Sequence, residues 1–439
     1  MDLTQKIVSL AKRRGFIFPS SEIYGGFGGV YDWGPLGFEL KNNLKKCWLE
    51  SIKEKENIVS LDSAILMNPK VWEASGHLGA GFADELVECK SCHKRFKFDE
   101  IKNEKCPECG GELTKPRNFN LMMKTFAGPV ESEANTAYLR AETCQGIFVN
   151  FNNILRSQRL KIPFGVAQIG KSFRNEVNPK NFIFRTREFE QMEMEFFCPP
   201  KEADNFFDFW IGERLKWYQK LGIKKKNLRL VEVPEKERAH YARKQVDIEY
   251  NFSFASPVGG QGWKEIEGIH NRGDWDLSNH SKNSGEDMKQ NGYFPYVIEA
   301  SVGVERALFA FLVDSYQEIE GGRTKTTKAV KEKEILLKIH PKLAPVKAAV
   351  LPLVRNKPEI VRKAKEVYKK LLPLFSCHYD ETGSIGRRYR REDEIGTLFC
   401  LTVDFESLKN NDLTVRNRDT MRQERIKIKD LENFFQENV

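Results

Sequence analysis

Residues 165–197, GVAQIGKSFRNEVNPKNFIFRTREFEQMEMEFF, constrain this chain more than any other stretch. Two runs of alternating character flank a charged segment, the pattern of two long strands joined by a loop. On the second run Glu190, Met192, Met194 and Phe196 fall on one face, and Phe189, Gln191, Glu193 and Glu195 on the other. On the first, Gln168, Ser172, Arg174 and Glu176 share a face. Such a hairpin sets Arg174, Glu176, Arg185, Arg187, Phe189 and Glu193 along one sheet surface, bringing guanidinium forks, an aromatic plane and carboxylates together. That set suits a purine nucleoside triphosphate with a small cation. A solvated amphipathic hairpin is the plainer account of so many charges, but Phe189 and Gln191 lie among them on the face opposite the methionines.

Around this hairpin the chain has room for two or three domains with a large core. Its 439 residues are 40% hydrophobic and 30% charged, as in a soluble globular protein. No run approaches the ~18 apolar residues of a membrane span, and MDLTQKIVSLAKRRGF lacks the apolar centre of a signal peptide, so a cytoplasmic location without membrane attachment is expected. A net charge of +9 is compatible with a polyanionic partner. Nine cysteines in such a chain imply reduced thiols, some of them metal ligands. Cys89-x-x-Cys92 and Cys106-x-x-Cys109, the latter followed by Gly110 and Gly111, have the spacing of two zinc knuckles. Four thiolates make a closed tetrahedral site, hence a structural zinc ribbon. Cys89-Lys-Ser-Cys92-His93 also matches a c-type haem attachment, which fits neither the absent export signal nor the second knuckle.

The remaining segments read in order. Leu3, Ile7, Leu10 and Ala11 mark a short amphipathic helix, and FIFPSSEIYGGFGGVYDWGPLG a Gly-rich aromatic loop without dinucleotide-binding spacing. Pro35 opens a helix carrying Leu36, Leu40, Leu44 and Trp48. In YLRAETCQGIFVNFNNIL, Ile147, Phe148, Phe151, Ile154 and Leu155 form a helical stripe, with Glu142 just before it. Residues 199–245 are expected to be helical; HYARKQVDIEYNFSFASPVGGQGWKEIEGIHNRGDWDL then alternates like strands around Gly-rich turns, with Glu265 and Glu267 sharing a face of an extended KEIEG. PYVIEASVGVERALFAFL runs from a strand, with Val297, Glu299 and Ser301 on one face, into a helix striped by Val304, Leu308 and Phe311. Residues 321–334, GGRTKTTKAVKEKE, form a Lys-rich linker. Beyond it, an apolar run at 344–354, a helix through Ile360, Val367 and Leu371, and strands near 398–403 and 413–415 make a small α/β domain. There Arg387, Arg388, Arg390 and Arg391 precede a row of acids, as on a helix face laced with ion pairs.

FRNE followed by FRTREFEQMEME resembles motif 2 of the class II aminoacyl-tRNA synthetases, and its wording is similar to that of the homodimeric glycyl-tRNA synthetase family. The resemblance extends over nearly the whole chain. It implies an α+β catalytic domain on an antiparallel sheet at 1–330, with a zinc-ribbon insertion at 85–115 and a second insertion at 199–260. An α/β anticodon-binding domain would follow at 335–439. The helix from Pro35 with ILMNPKVWEASGH corresponds to motif 1 and the interface of a homodimer; VIEASVGVER resembles motif 3. The implied reaction joins glycine to ATP, with Mg2+, and passes glycine to tRNA(Gly).

By the same resemblance Arg174 meets the α-phosphate and carboxylate, Glu176 the adenine amino group, Phe189 stacks under adenine, and Arg185 and Arg306 hold the outer phosphates. Asn175, Phe184, Thr186, Arg187 and Glu188 complete the motif 2 contacts to ATP. Glu265, the backbone at Ile266, Gly303, Val304 and Glu305 complete the others. R-x-E-T-x-Q-G assigns Glu142 to the substrate ammonium, with Glu193, Glu299 and Ser301 around it. Neighbours Phe189, Glu190, Gln191, Met192, Ala300, Val302 and Gly303 belong to the same glycine site, as does Lys97, which stands where family members show Arg. Ala141 and Ala300 replace family prolines, and Glu305 a small residue or Asp; none of these removes a functional group. A hole filled by acids at the Cβ position excludes alanine sterically, and glycine has no smaller competitor, so no editing domain is required. Two other readings stay open: a ligase for alanine or serine, and a non-catalytic nucleic-acid-binding protein on a synthetase scaffold.

Overall fold

The computed structural model describes residues 2–79, 82–98, 101, 103–179, 181–252, 262–321, 323 and 333–438. Helix α1 (Leu3–Arg14) starts at Asp2, whose carboxylate accepts from the Gln5 amide while the Gln5 side chain accepts from the Asp2 N–H. It buries Ile7, Leu10 and Ala11. Helix α2 (Pro35–Lys53) buries Leu36, Leu40, Leu44 and Trp48, the stripe its sequence spells out. The central sheet has seven strands among the described residues: β1 (Ile58–Leu61), β2 (Phe164–Phe173), β3 (Glu188–Cys198), β4 (Leu228–Glu232), β5 (Lys244–Asn251), β6 (Trp263–Gly273) and β7 (Tyr296–Gly303). Their order is β4-β5-β6-β7-β3-β2-β1, antiparallel throughout except where β1 lies parallel to β2.

Period-2 alternation gives this sheet two different faces. From β3, Met192, Met194 and Phe196 enter a core shared with Leu40 and Trp48 of α2 and Trp210 of α4 (Ala203–Lys220). Leu308 and Phe311 of α6 (Val304–Ser315) close it. Each such side chain contributes about 1.5–3 kcal/mol by leaving water. The opposite face is graded. At one end Val166, Phe197 and Val297 pack on Ile147 and Phe148 of α3 (Cys144–Val149) and Leu277 of α5 (Trp275–Ser284). Further along, the same face carries Glu193, Glu299 and Ser301 and opens into a cleft.

Residues 199–245 depart from the helical expectation. Only α4 is a long helix; Leu228–Glu232 joins the central sheet as its outermost strand, beside Lys244–Asn251, where the alternation that starts at His240 does form a strand. A charged run does not by itself distinguish a solvated helix from an edge strand with one wet face. The cysteine-bearing segment forms its own small sheet from Ala83–Glu88, Arg95–Lys97 and Arg117–Asn120.

The C-terminal part builds a second core on five strands, β8 (Ala348–Pro352), β9 (Cys377–Tyr379), β10 (Phe399–Val403), β11 (Asp412–Asn417) and β12 (Gln423–Lys427), in the order β9-β8-β10-β11-β12. The first three in that order run parallel and the others antiparallel. Helices α7 (Pro358–Leu371), α8 (Ile385–Ile395) and α9 (Leu431–Asn438) flank them, with Ile360, Val367, Leu401 and Phe435 at the centre. The arginine run on α8 is partly structural: buried Arg388 donates to the carbonyls of Pro352, Leu353 and Asp380, and Arg391 pairs with Asp380. Most of the Lys-rich linker, residues 322 and 324–332, lies outside the described residues; Arg323 within it is held by Glu334 and Asp393.

Candidate active site

A cavity of about 440 Å3 opens on the polar face where β3, β6 and β7 meet the loop between β2 and β3. Its outer part is basic and aromatic. Arg174 Nε donates to Ala141 O at 3.2 Å, and its guanidinium stands 5.5 Å from the ring centroids of both Phe189 and Phe82. Arg185 Nε donates to Glu176 Oε2 at 2.7 Å, and Arg306 Nη1 to Glu265 Oε2 at 3.2 Å, with the Arg306 guanidinium over Phe184. Planar forks beside aromatic faces, partnered by exchangeable carboxylates, suit a nucleotide with its phosphates.

Glu265 reaches this cleft through a defect in the strand. In β6 the register skips Ile266: Glu267 lies opposite Ile248, and Glu265 opposite Glu249. This bulge overturns the expectation that Glu265 and Glu267 share a face. Glu267 is fully buried on the helix side, where Arg214 of α4 donates to it at 2.6 Å, while Glu265 turns toward Arg306. Inserting one residue re-aims the side chains beyond it, a device common beside active sites.

The inner end of the cleft is acidic. Glu193 accepts from Thr143 Oγ1, from Ser301 Oγ at 2.8 Å and from Gln191 Nε2 at 3.4 Å. Glu299 accepts from Arg272, whose guanidinium forks onto Asp276 at 2.7 and 2.8 Å, and lies 3.0 Å from His270 Nδ1. Glu142 accepts from Cys144 Sγ at 2.9 Å and Gln145 Nε2 at 3.1 Å, and lies 3.2 Å from His77 Nε2. Burial favours the neutral form of all three, but the outcomes differ. His77 and Arg272 overcome burial and hold Glu142 well below the usual carboxylate range; Arg272 and His270 lower Glu299. Burial, reinforced by Glu299 and Glu142, pushes Glu193 up to about 7. Beneath it Glu195 is fully buried, neither carboxyl oxygen has a hydrogen-bond partner among the described residues, and burial followed by Glu299 raises it well above normal. A small hole ringed by carboxylates and a hydroxyl oxygen, beside Arg174, has the chemistry to hold an ammonium with its carboxylate turned to the arginine.

Most residues expected from the sequence face this cleft. Phe184, Thr186, Gly303, Glu305 and Gln191 line it with those already named. Glu305 also accepts from the Glu190 N–H at 2.9 Å, and burial pushes it up to about 7. Others do not reach it. Glu190 points to the helix side, 3.3 Å from Lys41 and 3.1 Å from Lys45 of α2. Met192, Ala300, Val302 and Val304 are buried in the helix-side core, as is the side chain of Ile266, where the expected contact is from the backbone. For the strand positions the reason is parity: their neighbours Glu193, Glu299 and Ser301 take the polar face. Lys97 pairs with Asp84 in the inserted sheet and does not line the cavity. Glu188 pairs with Lys171, while Asn175 and Arg187 line a separate cleft against the inserted sheet. The Gly-rich loop braces the hairpin, Gly29 O accepting from the Arg187 N–H at 2.7 Å. Sequence reasoning missed Thr143, His77, His270 and Arg272. All four lie in segments it quoted, but only tertiary contact aims them at the acids.

In the inserted sheet the four expected cysteines converge, with all four Sγ atoms within 4.8 Å of one another. Cys89 and Cys109 stand 3.5 Å apart, Cys92 and Cys106 3.6 Å, and none forms a disulfide. Hydrogen bonds, first from the Cys92 N–H, bring the Cys89 thiol down to about 6.

Comparison with known proteins agrees with this architecture. Residues 129–316 match the model of the tRNA synthetase class II core domain (G, H, P, S and T), and residues 347–438 that of an anticodon binding domain. A glycine–tRNA ligase of Thermobifida fusca is 51% identical over 99% of this chain and 97% of its own length. Those of Borrelia hermsii and Streptomyces coelicolor are 50% and 48% identical, again over 99% of this chain and 97% and 98% of theirs. The chain belongs to the glycine–tRNA ligase family of class II aminoacyl-tRNA synthetases.

Proposed function

We propose that this protein activates glycine with ATP, forming glycyl-adenylate and pyrophosphate, and then transfers glycine to the 3′ end of tRNA(Gly). The observation that carries the reading is the acidic hole of Glu142, Glu193, Glu299 and Ser301 at the end of an arginine-lined cleft. The ammonium sits among the acids, so the glycine carboxylate points to Arg174. Arg174 steadies that carboxylate and the α-phosphate, Phe189 stacks on adenine, and Glu176 accepts from its amino group. Arg185 and Arg306 leave their carboxylate partners for the outer phosphates. In-line attack by the carboxylate oxygen on the α-phosphorus then needs only placement and charge stabilisation, with no covalent enzyme intermediate. Magnesium, held by phosphate oxygens with Glu265, would neutralise charge on the departing pyrophosphate.

The four clustered thiols suit a structural zinc ion, which would lock the inserted sheet beside the cleft. Basic and aromatic groups between that sheet and the hairpin, among them Arg95, Arg117, Phe96 and Arg187, are the surface offered to the acceptor end of tRNA. The C-terminal α/β unit takes the anticodon, and the chain works as a cytoplasmic homodimer. No helix among the described residues is long and apolar enough to cross a membrane. Exchange of labelled pyrophosphate into ATP tests the activation step. Glycine should support it and alanine and serine should not; exchange driven equally by alanine, or by no amino acid, would overturn the proposal.

A further inference from the structure

The segment ILMNPKVWEASGH, assigned from sequence only to an interface between subunits, ends against Glu142, which lines this chain's own cleft. After the short helix Pro69–Ala74 the chain brings Ser75 and His77 inward, and both are buried, at 3% and 4% exposure. The His77 ring is clamped by Trp72 at 5.2 Å and Phe82 at 4.6 Å between centroids, and its carbonyl accepts from Asn120 Nδ2 at 2.9 Å. Phe82 in turn lies against the Arg174 guanidinium. One ring nitrogen, Nδ1, is 2.8 Å from Ser75 Oγ; the other, Nε2, is 3.2 Å from Glu142 Oε2.

These distances make a directed relay. An ionised carboxylate can only accept, so Nε2 carries the hydrogen in its contact with Glu142, while Nδ1 is left to Ser75 Oγ, which also reaches Trp72 O at 3.4 Å. The other oxygen of Glu142 accepts from Cys144 and Gln145. A carboxylate has about four acceptor positions, and three are now filled from fixed directions. Glu142 also lines the cavity, which leaves the remaining position to a ligand there.

We propose that His77, held by Ser75, is a positioning residue for glycine: it fixes the Glu142 carboxylate so that one lone pair is aimed at the substrate ammonium. The proposal rests on the glycine-activation reading. It concerns ground-state binding of the amino group, so its signature is in glycine KM and not in ATP KM.

The test uses pyrophosphate exchange by the intact protein, two substitutions of similar size at His77, and one at Ser75. Gln at 77 can place an amide N–H near the Nε2 position, whereas Asn reaches only the Nδ1 position. His77→Asn should raise glycine KM by about tenfold or more, as expected for losing a hydrogen bond to a charged group, with ATP KM and kcat little changed. His77→Gln should restore glycine KM toward the wild-type value, and Ser75→Ala should raise it by a smaller factor. The proposal is overturned if His77→Asn and His77→Gln behave alike, if both substrates' KM values rise together, or if only kcat falls. Absence of glycine-dependent exchange in the wild-type protein would instead overturn the activation reading itself.

Discussion

The carboxyl of Glu193 titrates where an enzyme can be assayed, and this makes the acidic hole testable without a ligand-bound structure. Burial, then Glu299 and Glu142, pushes it up to about 7. An ammonium binds the ionised form, because a unit charge at ~4 Å is worth ~4 kcal/mol at an effective dielectric of ~20. Glycine binding therefore expels a proton from the site at lower pH. With a single group near 7, apparent affinity scales with the ionised fraction, which falls about tenfold between pH 8 and pH 6. Glycine KM should thus rise about tenfold over that interval, while kcat at saturating glycine moves much less because the bound ammonium keeps the group ionised. The assay is pyrophosphate exchange at saturating MgATP, with log kcat/KM for glycine followed across pH. Glu305 also lies near 7 at this cleft, so the control is Glu193→Gln. That variant should lose the bend, show glycine KM raised about ten- to a hundredfold at pH 8, and approach the wild type at pH 6. A bend that survives in Glu193→Gln would assign it to another group. A flat wild-type profile would refute the argument.

Arg306→Ala removes a donor to the outer phosphates and should lower glycine-dependent exchange a hundredfold or more, about 3 kcal/mol; intact exchange would displace Arg306 from that role. Glu305 in the folded protein sits near 7, above the ordinary carboxylate value of 4.5, so the fold binds its proton more tightly than the unfolded chain. Stability is then lost as pH rises from about 4.5 to 7, by up to about 3 kcal/mol, and Glu305→Gln should raise the melting temperature more at pH 8 than at pH 5. Equal shifts at both values would contradict the assignment. The cysteine cluster should carry one zinc per chain by elemental mass spectrometry, lost in Cys92→Ser; metal-free protein purified with zinc present would rule the site out. Arg214→Met strands the buried Glu267 carboxylate and should cost about 3–5 kcal/mol in denaturant unfolding, whereas a loss under about 1 kcal/mol would show the pair is not isolated from water.

Local pattern carried much of this protein. Alternation in residues 188–198 divides Met192, Met194 and Phe196 from Phe189, Gln191 and Glu193, and the sheet keeps that division because one face is packed and the other open. Cysteine spacing brought together the four thiols for the same kind of reason: two short knuckles leave few ways to close. What alternation did not contain was its own interruption. The bulge at Ile266 separates Glu265 from Glu267, and no periodicity reports an extra residue. The same parity that placed Glu193 in the cleft removes Glu190 from it, and only the packed α2 shows that Lys41 and Lys45 are its partners. Lys244–Asn251 pairs with β6 as its alternation spells out, but Leu228–Glu232 became the sheet edge because β5 left an open side to pair, a demand absent from its own charged sequence. Sequence by itself determined which side chains are apolar, which carry charge and how they alternate. The tertiary structure alone decided that His77, Arg272 and Glu142, from distant segments, meet around one small hole, because through-space contact sets burial and charge balance.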